Sequence, residues 1–194
     1  MLASCESSGH PFHLKGTSWF GFETETHAPH GLWSKSIDEI LDFLQSNNFN
    51  ALRLPFSVQL VLDNPSDTNV DCHANGQSIC ALSALDLMGV VIDRCAERGI
   101  LVMLDQHRLS GNAISALWYD STFSESKVLE SWHVLLRRFA SRFPSYSGLF
   151  FVEGVGENAD SSTPNQWAHF WGGNLEGVHR HPIEVGPQLN GRVV

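Results

Sequence analysis

The chain has 194 residues, 42% of them hydrophobic and 17% charged, and carries a formal net charge of −9. That length supports one sizeable core and is short for two. No apolar run approaches the ~18–20 residues of a membrane span, and the negative charge argues against a nucleic-acid backbone as partner.

Residues 1–12 are polar and read as a flexible N-terminal segment. Met1 to Cys5 shows neither the basic region nor the long apolar stretch of a signal peptide. The segment Thr17 to Glu23 then predicts a strand and the loop that leaves it. Ser36-Ile-Asp-Glu39 has the spacing of a capping box, and Ile37, Ile40, Leu41 and Leu44 fall on one face of the helix that follows, over 37–47. A strand at 50–54 comes next. Residues 57–81 form a long connection rich in Asn, Asp and Ser, the setting in which functional loops are common.

Ser83 opens a second helix, 83–98, with Leu85, Met88, Ile92 and Cys95 on its apolar face, and Gly99 stops it. The stretch Gly99-Ile-Leu-Val-Met-Leu-Asp-Gln-His107 lacks polar alternation. It therefore reads as a strand buried on both faces, of the kind found in parallel sheets. A third helix spans 124–142, with Val128, Trp132, Leu135, Leu136 and Phe139 on one side. Leu149-Phe-Phe-Val152 is a further buried-type strand that ends in Glu153.

Of the four cysteines, Cys95 lies on a helical face and reads as an inert thiol. Cys72 and Cys80 bracket a loop containing Gly and Asn. They form either a loop disulfide, which would imply a secreted parent, or two free thiols. The histidine groupings His27/His30 and His169/His179/His181 complete no recognised metal spacing.

The βα pattern repeats along the chain, which builds either an open doubly wound sheet or a closed barrel. No glycine-rich fingerprint follows the first strand, so a Rossmann dinucleotide site is not supported. Instead, residues suited to chemistry recur at successive strand ends: Trp19, Arg53, Asp105 with His107, and Glu153. That distribution is the habit of a (β/α)8 barrel.

At these positions the chain resembles glycoside hydrolase family 5, specifically its cellulase-like endo-β-1,4-glucanases. The segments that carry the likeness occur in family order: Lys15-Gly-Thr-Ser-Trp-Phe-Gly-Phe-Glu-Thr24, His30-Gly-Leu-Trp33, Phe49-Asn-Ala-Leu-Arg-Leu-Pro-Phe-Ser57, Leu104-Asp-Gln-His-Arg108, Leu117-Trp-Tyr119, Phe151-Val-Glu-Gly154 and Trp171-Gly-Gly-Asn-Leu175. The resemblance implies an α/β fold, here a partial (β/α)8 TIM barrel over residues 13–194. It also implies a secreted enzyme that hydrolyses β-1,4-glucosidic bonds with retention, with a β-glucan as partner and no metal or cofactor. Retention needs two carboxylates about 5–5.5 Å apart.

In the family the acid/base glutamate lies in an Asn-Glu-Pro motif that ends the fourth strand, and the nucleophile ends the seventh. The sequence contains no Asn-Glu-Pro. The third helix passes at 148/149 directly into what resembles the family's fifth strand, as though the fourth βα unit were deleted, and Val194 precedes the family's later strands. The expectation is a glycoside hydrolase that lacks both catalytic glutamates and is inactive as written. The alternative is a non-catalytic carbohydrate-binding remnant.

Within that resemblance Arg53 matches the arginine that orients the nucleophile, and His107 the histidine that borders the cleft; Asp105 is expected to support them from behind. Trp19 and Trp171 match tryptophans that line sugar subsites, and Trp118 and Tyr119 are further substrate-binding candidates. Trp33 and Trp132 are assigned to packing. Glu153, though at a strand end, is not catalytic at that place in the family.

Overall fold

The computed structural model describes residues 3–5, 11–115, 117–139 and 152–153. Two short strands, β1 (Ala3–Cys5) and β2 (Pro11–His13), pair antiparallel. These residues of the N-terminal segment form a hydrogen-bonded ribbon, which satisfies backbone groups that would otherwise be left to water.

The body is a four-stranded parallel sheet of β3 (Gly16–Ser18), β4 (Ala51–Ser57), β5 (Leu101–Arg108) and β6 (Val152–Glu153). The strands neighbour one another in chain order. Parallel neighbours need crossovers, and helices supply them. These are α1 (Ile37–Ser46) before β4, α5 (Ala84–Glu97) before β5 and α6 (Glu125–Phe139) before β6.

Each helix forms for a local reason. Ser36 Oγ accepts from the Glu39 amide at 3.1 Å while Glu39 Oε2 accepts from the Ser36 amide at 2.9 Å, the reciprocal capping box expected from the spacing. Ile37, Leu41 and Leu44 then face the core. Ser83 caps α5, and Gly99 beyond it takes a φ of +67° that side chains disfavour. On α6 the buried face is Val128, Trp132, Leu135 and Phe139. Arg98, at the end of α5, binds Asp38 and Asp42 of α1 at 2.7 Å each. Arg138 of α6 pairs with Asp86 of α5.

The connection 57–81 is less irregular than its composition predicts. It contains α2 (Val58–Asp63), α3 (Cys72–Asn75) and α4 (Gln77–Cys80). Ser57 Oγ accepts from the Leu60 amide at 3.1 Å, and Val58, Leu60 and Val61 are buried, so a cap and a small apolar face suffice for a short helix.

Alternation along β4 and β5 sorts the side chains. Leu52, Leu54 and Phe56, with Val102, Leu104 and Gln106, are buried in the core shared with the helices. Ala51, Arg53, Leu101 and Met103 lie on the opposite face and stay half-buried. With Thr17 and Ser18 they line a groove of about 390 Å³. The strand at 101–108 is therefore not buried equally on both faces, as its unbroken apolar run predicts. Helices cover the outer face, whereas the inner face of a barrel is covered only by strands across the axis.

Candidate active site

The C-terminal ends of β3, β4 and β5 bring the predicted polar residues together. Arg53 lies opposite Met103 in the ladder, and Pro55 opposite Asp105. Asp105 and His107, two residues apart, share the inner face with Arg53. Arg53 Nη2 lies 2.6 Å from Asp105 Oδ2 and 3.2 Å from His107 Nδ1. His107 Nδ1 is also 3.3 Å from Asp105 Oδ2. That nitrogen faces both a donor and an acceptor, so the imidazole tautomer selects which bond forms. Arg53 Nη1 donates to Ser18 Oγ at 3.4 Å, which ties the group to β3.

The Asp105 side chain is only 2% exposed, so its charge is offset by what surrounds it rather than by water. The sequence reading leaves Arg53 without the carboxylate it would orient; in the structure its guanidinium is paired with Asp105 instead. As a buried ion-pair partner Asp105 is not a free acid facing the groove. Glu23 is likewise engaged. It is buried, and its Oε2 accepts from the Gly21 amide at 2.6 Å.

The aromatic residues differ from expectation. Trp19, a sugar-platform candidate, is 7% exposed, and its indole N–H donates to the His30 carbonyl at 2.8 Å. It has almost no face open to a ligand and belongs to the core. Its neighbour Phe20 is 50% exposed instead, and Trp33, assigned to packing, is 46% exposed. The His30 ring stands between these two, 4.1 Å from Phe20 and 5.1 Å from Trp33 by ring centroids.

This aromatic row sits on a tightly folded loop. Gly21 has φ +141°, and a Cβ there would lie 2.1 Å from the Ala28 carbonyl oxygen. Only glycine allows that approach. The helical periodicity that begins at Ile37 does not reach Trp33. The one local signal for its exposure is that it precedes the Ser36 cap and so lies off the buried face of α1.

Trp118 and Tyr119 pack edge to face at 4.9 Å and are partly buried against the core. Trp132 does pack: its indole N–H donates to Gln106 Oε1 at 2.9 Å and its ring meets Phe56 edge-on. Trp171 and the 148/149 junction lie outside the described residues. Cys72 and Cys80 form a disulfide, with Cα atoms 5.2 Å apart, which decides between the two readings of that pair. Backbone register places Glu153 beside Asp105, on the strand next to β5.

A family model for cellulase, glycosyl hydrolase family 5, matches residues 5–180. The chain belongs to glycosyl hydrolase family 5. It is 29% identical to an endoglucanase of Paenibacillus polymyxa over 218 residues, covering 92% of this chain and 54% of that protein. It is 33% identical to the major extracellular endoglucanase of Xanthomonas campestris, covering 93% of this chain and 45% of that one.

Among solved structures, an endocellulase from Pyrococcus horikoshii in complex with cellotetraose matches with a TM-score of 0.68 at 33% identity. That match covers 83% of this chain and 42% of the other. The fold is accordingly a partial (β/α)8 barrel of the family 5 type. The chain spans about half the length of the curated relatives it matches. The 218-residue match also exceeds this chain's own 194 residues, so the Paenibacillus protein carries stretches with no counterpart here.

Proposed function

We propose that these 194 residues bind a β-1,4-glucan along the Phe20–His30–Trp33 row, whose two outer rings are exposed, and at Arg53 and His107, without hydrolysing it. The observation that carries this reading is the state of the strand ends. Arg53 and His107 stand there around Asp105, the loop after β3 carries the exposed rings of Phe20 and Trp33, and the buried carboxylates Asp105 and Glu23 are both engaged. Aromatic faces suit the apolar faces of glucose rings, and Arg53 and His107 can donate to hydroxyls. The cellotetraose bound by the Pyrococcus endocellulase supports a glucan as the ligand class.

Hydrolysis with retention requires an acid/base and a nucleophile about 5–5.5 Å apart. The absence of Asn-Glu-Pro removes the first of these in the family's form. A missing fourth βα unit near 148/149 accounts for that absence, and the relative's unmatched stretches support it. The Cys72–Cys80 disulfide supports an oxidising, extracellular setting.

Affinity electrophoresis in a soluble β-1,4-glucan tests the binding. The wild-type chain is expected to be retarded and Trp33→Ala to migrate freely. Equal migration with and without the glucan would dismiss the reading. Recruitment of Glu153 as a replacement acid is the rival reading, favoured only by its place beside Asp105 in the ladder.

A further inference from the structure

We infer that Asn75, held by the Cys72–Cys80 disulfide, is a positioning residue for the Trp33 face. The glucan role of that face rests on the function proposed above; the positioning itself does not. Asn75 belongs to α3, far from Trp33 in sequence, yet its side chain spans the segment that carries the tryptophan. Its Nδ2 lies 3.2 Å from the Leu32 carbonyl and 3.1 Å from the Lys35 carbonyl, the residues that flank Trp33 and Ser34. Its Oδ1 accepts from the Ile37 amide at 3.0 Å, at the first turn of α1. A second strut runs beside it, from the Asp71 amide to the Leu32 carbonyl at 2.9 Å.

One amide side chain thus fixes the backbone on both sides of an indole that is itself nearly half exposed. Exposed rings gain little order from packing, so backbone ties of this kind decide where the ring points. Asn75 is in turn fixed by short-range constraints. Asp71 Oδ2 accepts from the Ala74 amide at 3.1 Å, and the Gly76 amide donates to the Cys72 carbonyl at 2.8 Å. The Cys72–Cys80 bond then closes the loop on the far side. Opening that bond frees the α3–α4 hairpin to move, and with it the contact between Asn75 and the Trp33 segment.

The test is the ¹⁹F spectrum of the full chain labelled with 5-fluorotryptophan, the Trp33 signal being assigned with Trp33→Phe. The key variant is Asn75→Asp. It keeps an acceptor for the Ile37 amide and places its charge at a helix N-terminus, where it is tolerated, but removes the donors to Leu32 and Lys35. Expected is a shifted or broadened Trp33 signal with the Trp132 signal unmoved, the latter reporting an intact core. The Cys72→Ser/Cys80→Ser chain is expected to move the same signal in the same direction. An unchanged Trp33 signal in either variant overturns the inference.

Cellotetraose titration separates this claim from the proposed function. Asn75→Asp is expected to weaken binding about fivefold to tenfold, the scale of one or two lost hydrogen bonds. Wild-type binding that Asn75→Asp leaves unaltered, with the Trp33 signal shifted, defeats the glucan role of the Trp33 face and supports the positioning. A wild-type chain that binds no cellotetraose, with a Trp33 signal that still responds, defeats the glucan reading and supports the positioning.

Discussion

Arg53 Nη2 sits 2.6 Å from Asp105 Oδ2, and the pair is completed by His107 Nδ1 at 3.2 Å from the same guanidinium nitrogen. Removing the cation would strand a buried carboxylate. Breaking such a pair from one side typically costs about 3–5 kcal/mol, and partial exposure of Arg53 places this one near the lower figure. Urea unfolding of Arg53→Ala is expected to show a loss of about 3 kcal/mol. Arg53→Ala/Asp105→Asn is expected to lose less, because the orphaned charge is gone. Equal losses for the single and double variants would show that the pair is not coupled.

Trp19 and Trp33 are expected to separate stability from binding. Trp19→Ala empties a core position and should cost about 3–5 kcal/mol in unfolding free energy. Trp33→Ala should change stability by about 1 kcal/mol or less, since its ring is 46% exposed. It should weaken glucan binding roughly tenfold, as about 60 Å² of lost apolar contact is worth about 1.5 kcal/mol. Calorimetric titration beside thermal melts reads both quantities.

The Cys72–Cys80 bond closes a short loop, so its removal is expected to cost about 2–3 kcal/mol by chain entropy. Comparing unfolding of the oxidised chain with that of the Cys72→Ser/Cys80→Ser chain measures this. Cys95 behaves differently: burial pushes its thiol up to about 12. It is expected to resist iodoacetamide at pH 8 in the folded chain and to react once unfolded, as read by mass spectrometry of its peptide.

Asp86 lies below its ordinary value of 3.8, first through the Ser83 hydroxyl and then through the Arg138 guanidinium. A carboxylate lowered on folding contributes stability that is present above its unfolded value and lost as pH falls through its folded one. The unfolding midpoint of the wild-type chain should therefore drop below about pH 4. In Asp86→Asn that part of the acid loss should be absent. An identical acid limb in both chains would remove Asp86 from the explanation.

Legibility from sequence followed the range of each interaction. The α1 capping box and the Gly99 stop depend on residues within a few positions, and both were readable from spacing. That Asp105 and His107 share a face follows from the strand period of two. Their meeting with Arg53 does not, because it depends on how β4 registers against β5. The burial of Trp19 and the exposure of Trp33 are illegible for the same reason. Motif position places Trp19 at a strand end and Trp33 ahead of the α1 cap, but exposure is set by where the loop from Phe20 to Lys35 folds. The inner sheet face was misread because an apolar run reports what a strand can bury, and not what lies across from it. Within 57–81, α2 was missed because a six-residue helix is too short to establish a period.

The most direct measurement is reducing-end release from a soluble β-1,4-glucan by the purified 194-residue chain, with glucan binding followed in the same sample and Glu153→Gln run beside it. Binding with no release above a heat-denatured control is the expected result. It would fit strand ends that hold a glucan without a free acid and nucleophile. Release that disappears in Glu153→Gln would contradict this and identify Glu153 as a recruited catalytic carboxylate.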